Sequence, residues 1–257
     1  MFSSQRHRIG LEICVDSAAG LRAAAENGAD RIELCAALSE GGLTPSKGMM
    51  EMAAKTSKSV RAMIRPRAGN FIYDRDELDI MRRDIDESAA SALEGVVLGC
   101  NDQSGNLDET ALAALVNHAH ALGLKVTLHR SFDLVPDPLH ALHVAATLRI
   151  DTILTSGQQD TALDGLSLIA QVVQVARNTG VQIMAGSGVT PSTAAVLVNR
   201  SAVDFVHASC RRPNSNSCDS SARLNMAPPR ETDPMLVAQL RRTLDALADK
   251  KPIGVGV

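Results

Sequence analysis

The chain is predicted to fold as a (β/α)8 TIM barrel of the α/β class, and three features of the sequence predict it. Eight short apolar runs alternate with helix-like stretches, the rhythm of parallel βα units rather than of hairpins. The runs are mostly apolar, as strands covered by helices must be. The helix-like stretches open on capping side chains and close repeatedly on glycine. The alternation also fits an open doubly wound sheet. However, IGLEICVDS runs into ordinary helix sequence without a glycine-rich dinucleotide loop, so closure is expected and a nucleotide cofactor is not. One barrel domain is expected over residues 1–257.

In order, the strands are expected at 9–16 (IGLEICVD), 30–35 (DRIELC), 59–66 (SVRAMIRP), 94–100 (EGVVLGC), 125–132 (KVTLHRSF), 151–157 (DTILTSG), 181–188 (VQIMAGSG) and 203–210 (VDFVHASC). Helices are expected at 18–27, closed by Gly28; 45–55; 76–92; 108–122, closed by Gly123; 138–148; 165–178, closed by Gly180; 191–199; and 234–248. Ser17, Thr44, Asp137, Thr190 and Asp233 are the candidate caps. The last three of these precede Pro138, Pro191 and Pro234, at a helical position where the missing N–H costs nothing. Residues 211–232 (RRPNSNSCDSSARLNMAPPRET) carry no period and are expected to form an irregular loop over the carboxyl-terminal face.

Composition narrows the function classes. Hydrophobic residues make up 45% and charged residues 21%, with 26 basic against 29 acidic side chains, the balance of an ordinary globule. The net charge of -3 gives no reason to expect nucleic acid as a partner. No apolar run is long enough to span a bilayer. The opening MFSSQRHRIG lacks the apolar core of a secretory signal, so a cytoplasmic location is expected. The five cysteines contain no CxxC pair and read as reduced thiols. Aromatic content of 2% leaves few platforms for stacking a base or sugar.

Alternate residues of a strand share one face, which sorts the polar side chains without coordinates. Glu12, Cys14 and Asp16 share a face of the first strand, and Glu33 and Cys35 share one of the second. Arg65 ends the third strand with Arg67 just beyond it; His129 lies in the fifth, with Asp133 following, and His207 and Ser209 lie in the eighth. This set at the strand ends is the usual construction of a barrel site. His129 and His207 are candidate general acids or bases, assisted by Glu12 and Glu33; each imidazole has an alternative role in fixing strand packing. Arg65 and Arg67 are candidate clamps for a carboxylate or phosphate. Ser187, Gly188 and Val189, after the seventh strand, are candidate anion contacts through backbone N–H groups, with Ser209 facing them. Cys14 and Cys35, at corresponding ends of adjacent strands, are a candidate Cu(I) pair, although buried thiols also serve as small apolar residues.

Motifs carried through nearly the whole barrel resemble the copper homeostasis protein CutC family. They are EICVDS (12–17), ADRIELC (29–35), GGLTPS (41–46), MIRPRAGNFIYD (63–74), LHRSFD (128–133), ILTSG (153–157) and IMAGSGV (183–189). The resemblance implies a single (β/α)8 barrel, assembled as a homodimer, with a role in copper tolerance or intracellular copper handling. It implies copper ligands at Cys14 and Cys35. Two functions follow: a copper-binding protein using that thiol pair, or an enzyme acting on a small anionic substrate by His/Glu acid–base chemistry. A third possibility is a non-catalytic ligand-binding barrel.

Overall fold

The structure is a computed structural model that describes residues 8–213 and 230–248. Eight parallel strands close in sequence order: β1 (Gly10–Val15), β2 (Arg31–Leu34), β3 (Ser59–Met63), β4 (Gly95–Leu98), β5 (Lys125–Leu128), β6 (Thr152–Thr155), β7 (Gln182–Ala185) and β8 (Phe205–Ala208). Pairing of β1 with β8, from Gly10↔Phe205 to Ile13↔Ala208, closes the ring and removes the open-sheet alternative. The surrounding helices are α1 (Ala18–Glu26), α2 (Lys47–Ala53), α3 (Arg75–Ala90), α4 (Glu109–Ala121), α5 (Pro138–Thr147), α6 (Leu166–Ala176), α7 (Pro191–Ser201) and α8 (Pro234–Ala248). Among the described residues no helix is long and apolar enough to cross a membrane.

Strand alternation divides the interior into two layers. Leu11, Ile13, Val15, Ile32 and Leu34 are fully buried in the apolar layer between strands and helices. The alternate residues meet across the barrel axis: Arg61 of β3 donates to hydroxyls on β5 and β6, and Arg31 of β2 reaches Met184 on β7. Such contacts between non-adjacent strands exist only inside a closed ring.

The helix caps mostly follow the sequence reading. Ser17 accepts from Gly20 N at 3.0 Å, Asp137 from Leu139 and His140, and Thr190 forms a capping box with Thr193. Two helix starts are corrected. Ser46, not Thr44, caps α2, because the Thr44 hydroxyl instead accepts Arg65 N at 3.0 Å and pins the β3 exit. A capping box of Asp74 with Glu77 starts α3 at Arg75 rather than Asp76.

The expectation of an irregular segment at 211–232 is also corrected at its ends. Arg211–Pro213 (β9) and Arg230–Thr232 (β10) pair antiparallel. Their arginines brace the pair: Arg211 Nε donates to Arg230 O and Arg230 Nη2 to Arg211 O, both at 3.1 Å. Strands of three residues carry no readable period. The rest of that segment, Cys218 included, and the first seven residues of the MFSSQRHRIG segment lie outside the described residues.

Candidate functional site at the barrel mouth

A cavity of about 850 Å³ opens at the carboxyl ends of the strands, with Cys14, Glu33, Arg65, His129, Ser187 and His207 among its lining. Its floor is organised by Glu12, which is fully buried. Arg31 Nε donates to one Glu12 oxygen, and the other lies 2.8 Å from His207 Nδ1. Arg31 is held in turn by Met184 Sδ at 3.4 Å and by the Phe205 ring, 4.2 Å beneath its guanidinium. Burial pushes the Glu12 carboxyl up, but the Arg31 charge and the His207 hydrogen bond outweigh it and hold the pKa at about 2. An ionised carboxylate only accepts, so His207 Nδ1 carries the proton in that bond.

The other imidazole nitrogen, Nε2, lies 3.8 Å from Glu33 Oε2. Burial opposes charge on His207, yet Cys14, Glu33 and Glu12 beside it raise its pKa well above 6.5. Burial also raises the Glu33 carboxyl, against the pull of His207 and with the push of Glu12. Both groups therefore hold protons to higher pH than usual, and among the described residues Glu33 Oε1 has no partner. Adjacent groups with shifted proton affinities are suited to proton exchange with a third molecule.

Cys14 joins this pair rather than Cys35. Donor atoms of Cys14, Glu33 and His207 lie within 4.8 Å of one another, a cluster that can coordinate a metal ion. A metal on His207 Nε2 would leave Nδ1 bonded to Glu12, the carboxylate–histidine arrangement that orients imidazole ligands. Cys35 sits outside the cluster, packed with Met63 and Val97, and its Sγ donates to Glu33 Oε2 at 3.5 Å. Burial and the nearby Glu33 raise its thiol well above 9.0. The thiol, imidazole and carboxyl form a mixed soft and hard donor set, unlike a two-thiolate Cu(I) pair.

The wall near β4 and β5 carries His129. Its Nδ1 accepts Ser131 N at 3.1 Å, while burial and the Arg65 charge hold its pKa down at about 3. A neutral ring accepting at Nδ1 carries its proton on Nε2, which has no partner among the described residues. His129 thus presents a hydrogen-bond donor, its ring tilted at 43° to that of Phe71 with centroids 4.5 Å apart, rather than a base.

Arg65 is largely engaged with backbone. It donates to the carbonyls of Glu40 (2.6 Å), Gly42 (3.1 Å) and Gly69 (2.9 Å), tying two loops together, and its Nε lacks a partner among the described residues. Arg67 does not line the cavity; it binds Glu77 and the carbonyls of Asn70 and Ile72. Ser187, Gly188, Val189 and Ser209 do line it. Ser187 has φ 78° and donates its hydroxyl to Asp160 O at 2.6 Å, while the N–H groups of Gly188 and Val189 donate to no other described residue. Arg31, Arg130, Arg211 and Arg230 are additions to the sequence-derived set. Arg31 shares the face of Glu33, so strand alternation carried a signal for it; the other three lie outside the barrel strands, where alternation gives none.

These shifts fix the sign of a pH profile in metal-free protein. His129 and Glu12 have lowered values, so their contributions are lost as pH falls, from 6.5 through about 3 and from 4.5 through about 2, respectively. Raised values reverse the sign. Glu33 erodes stability as pH climbs above 4.5, and the His207 contribution, complete below 6.5, is lost through its higher folded pKa. Urea midpoints measured with a chelator are expected to fall on both sides, and His207→Gln is expected to flatten the alkaline arm. An unchanged alkaline arm in that variant contradicts the assignment.

Closure by eight parallel strands places the protein in the (β/α)8-barrel class, with charged side chains gathered at the mouth. Within that class the chain belongs to the CutC family, whose model matches residues 9–212. It is 46% identical over 246 residues to a CutC family protein of Sinorhizobium medicae, covering 95% of this chain and 99% of the relative. A CutC family protein of Caulobacter vibrioides is 44% identical over 94% of this chain and 99% of its own. The crystal structure of a CutC protein from Streptococcus agalactiae superposes with a TM-score of 0.74 at 30% identity, covering 78% of this chain and 98% of that one. Phosphoribosylanthranilate isomerase from Pyrococcus furiosus, at 11% identity, TM-score 0.57 and 93% and 99% coverage, shares the fold alone.

Proposed function

We propose that the barrel mouth is the site of an enzyme that moves a proton on a small anionic substrate. One observation carries the reading: Glu12 fixes His207 through Nδ1, so that Nε2 stands beside Glu33, a carboxyl with an unpartnered oxygen. His207 is the proton-exchanging group and Glu33 its partner. The neutral His129 donates from Nε2 to a substrate oxygen, and Arg65 supplies positive charge through its free Nε. The N–H groups of Gly188 and Val189, with Ser209 opposite, take an oxyanion or phosphate of the substrate. Among the described residues no lysine lines the cavity, which argues against Schiff-base chemistry. The reading includes cytoplasmic residence and a homodimer.

The test combines native mass spectrometry of anaerobically purified protein with turnover of a pool of small sugar phosphates and keto acids, followed by NMR. Turnover is expected, and His207→Gln is expected to lower its rate by about 100-fold or more. Undiminished turnover in that variant sinks the role of His207; the absence of both turnover and a bound anion sinks the reading.

The Cys14, Glu33 and His207 cluster favours a second reading, metal handling, with copper as the cargo. The Streptococcus agalactiae relative is provisionally assigned to copper homeostasis. Stoichiometric copper in the same mass spectrum, lost on Cys14→Ser, supports it. Retention by that variant and loss on Cys35→Ser returns the ligand role to Cys35.

A further inference from the structure

The opposite, amino-terminal end of the barrel holds a second cavity of about 480 Å³, with Arg31, Ser59, Arg61, Glu94, Lys125 and Asp151 among its lining. We propose that it is a second binding site, taking a small oxyanion of the carboxylate or phosphate type held side-on by Arg61. Arg61 is 3% exposed, and its two strong hydrogen bonds both leave Nη1, to the neutral hydroxyls of Thr127 (2.6 Å) and Thr152 (3.1 Å). Among the described residues its Nε has no partner, and the nearest carboxylate oxygen to Nη2 is that of Glu94, at 4.0 Å. A buried guanidinium without a close counter-charge is costly, so the free edge calls for an anion.

The other charges around the cavity are already engaged. Arg31 is bound to Glu12, Lys125 lies 3.0 Å from Asp151, and Asp30 holds Arg8 and Arg241. What is left among the described residues is the Nε–Nη2 edge of Arg61 together with the Ser59 hydroxyl, which is buried and also unpartnered there. Two parallel N–H donors match two oxygens of one carboxylate or phosphate, and the hydroxyl supplies a third contact. Burial and the like charge of Arg31 hold the Arg61 pKa down at about 10, so a bound anion relieves an existing electrostatic cost. Glu94, 40% exposed at the rim, is the internal competitor for the same edge.

The test follows the arginine Nε–Hε resonances of nitrogen-15-labelled, full-length protein during titration with sodium acetate or, separately, inorganic phosphate at constant ionic strength. The Arg61 signal, assigned by its loss in Arg61→Lys, is expected to shift saturably. Glu94→Gln is expected to tighten binding by about tenfold, because a like charge leaves the rim. A response to acetate alone identifies a carboxylate ligand, and a response to phosphate alone an inorganic or phosphoryl oxyanion. An Arg61 signal unmoved by both anions in the wild type and in Glu94→Gln overturns the proposal. The Arg65 signal in the same spectra reports the mouth, so failure at one end is separable from failure at the other.

Discussion

Replacing Glu12 by glutamine is expected to lower folding stability by about 3–5 kcal/mol, because it leaves two buried cations without the carboxylate they share. Arg31 and His207 both reach Glu12, whose side chain is wholly inaccessible to water. The amide of glutamine offers one oxygen to two donors and turns its NH2 toward one of them, so a repulsive contact replaces an ion pair. The partners have little to fall back on: Arg31 retains the Met184 sulfur and the Phe205 ring, both weak substitutes for a carboxylate. Urea unfolding gives the stability change, and imidazole NMR of the same variant is expected to show the His207 pKa falling toward its ordinary range. A loss below about 1 kcal/mol with an unmoved His207 titration would show that the ion pair adds nothing to the fold. Glu12→Asp, which keeps the charge on a shorter stem, is expected to fall between wild type and Glu12→Gln.

The same carboxylate shows how far sequence reasoning reaches. Alternation placed Glu12, Cys14, Glu33 and His207 on interior faces because a strand has a strict period of two, and the residues between them are the apolar layer under the helices. Alternation says nothing about register between strands, and register decides which interior residues touch. Cys14 stands opposite Glu33, not Cys35, in the β1–β2 pairing, and closure brings Glu12 opposite His207 from the far end of the chain. Register thus gathers Cys14 with Glu33 and His207, a group assembled from three strands. Arg31 and Arg61 share a face with Glu33 and Arg65, so their inward direction was legible, but their partners were not: Arg31 finds Glu12 across the β1–β2 register, and Arg61 finds Thr127 and Thr152 on strands not adjacent to its own. At the fifth strand the period itself fails. Residues 130–134 leave the strand for a 3-10 turn, so reading 125–132 as continuous strand misplaced Arg130.

That turn carries the second large effect: Asp133→Asn is expected to cost about 3–5 kcal/mol. The Asp133 carboxylate is only 5% exposed and accepts from Arg130 Nε (2.8 Å), Thr155 Oγ1, the Ser156 backbone N–H and hydroxyl (3.0 Å each to Oδ2), and Gln158 N (3.2 Å). Every one of these contacts is donated to it, so the NH2 of asparagine must face a donor wherever it turns. The consequence travels through the segment that follows β6. Gly157 N donates to Thr155 Oγ1 at 2.8 Å, and Gly165 packs so closely on this loop that a Cβ there would lie 1.9 Å from Ser156 O. The Asp160 carbonyl at the loop's outer end receives the Ser187 hydroxyl. Loosening Asp133 is therefore expected to speed amide exchange at Ser187 and Gly188 as well as at Ser156 and Gln158, with Asp133→Ala behaving like Asp133→Asn. Arg130→Met is the contrasting variant. Its side chain is 42% exposed, so removing it, with its bonds to Asp133, Ser156 Oγ and the Gln159 carbonyl, is expected to change stability by no more than about 1 kcal/mol. If Arg130→Met matches Asp133→Asn in stability and exchange, the Arg130 side chain, through its ion pair and its bonds to Ser156 and Gln159, rather than the backbone clamp on Asp133 holds the loop.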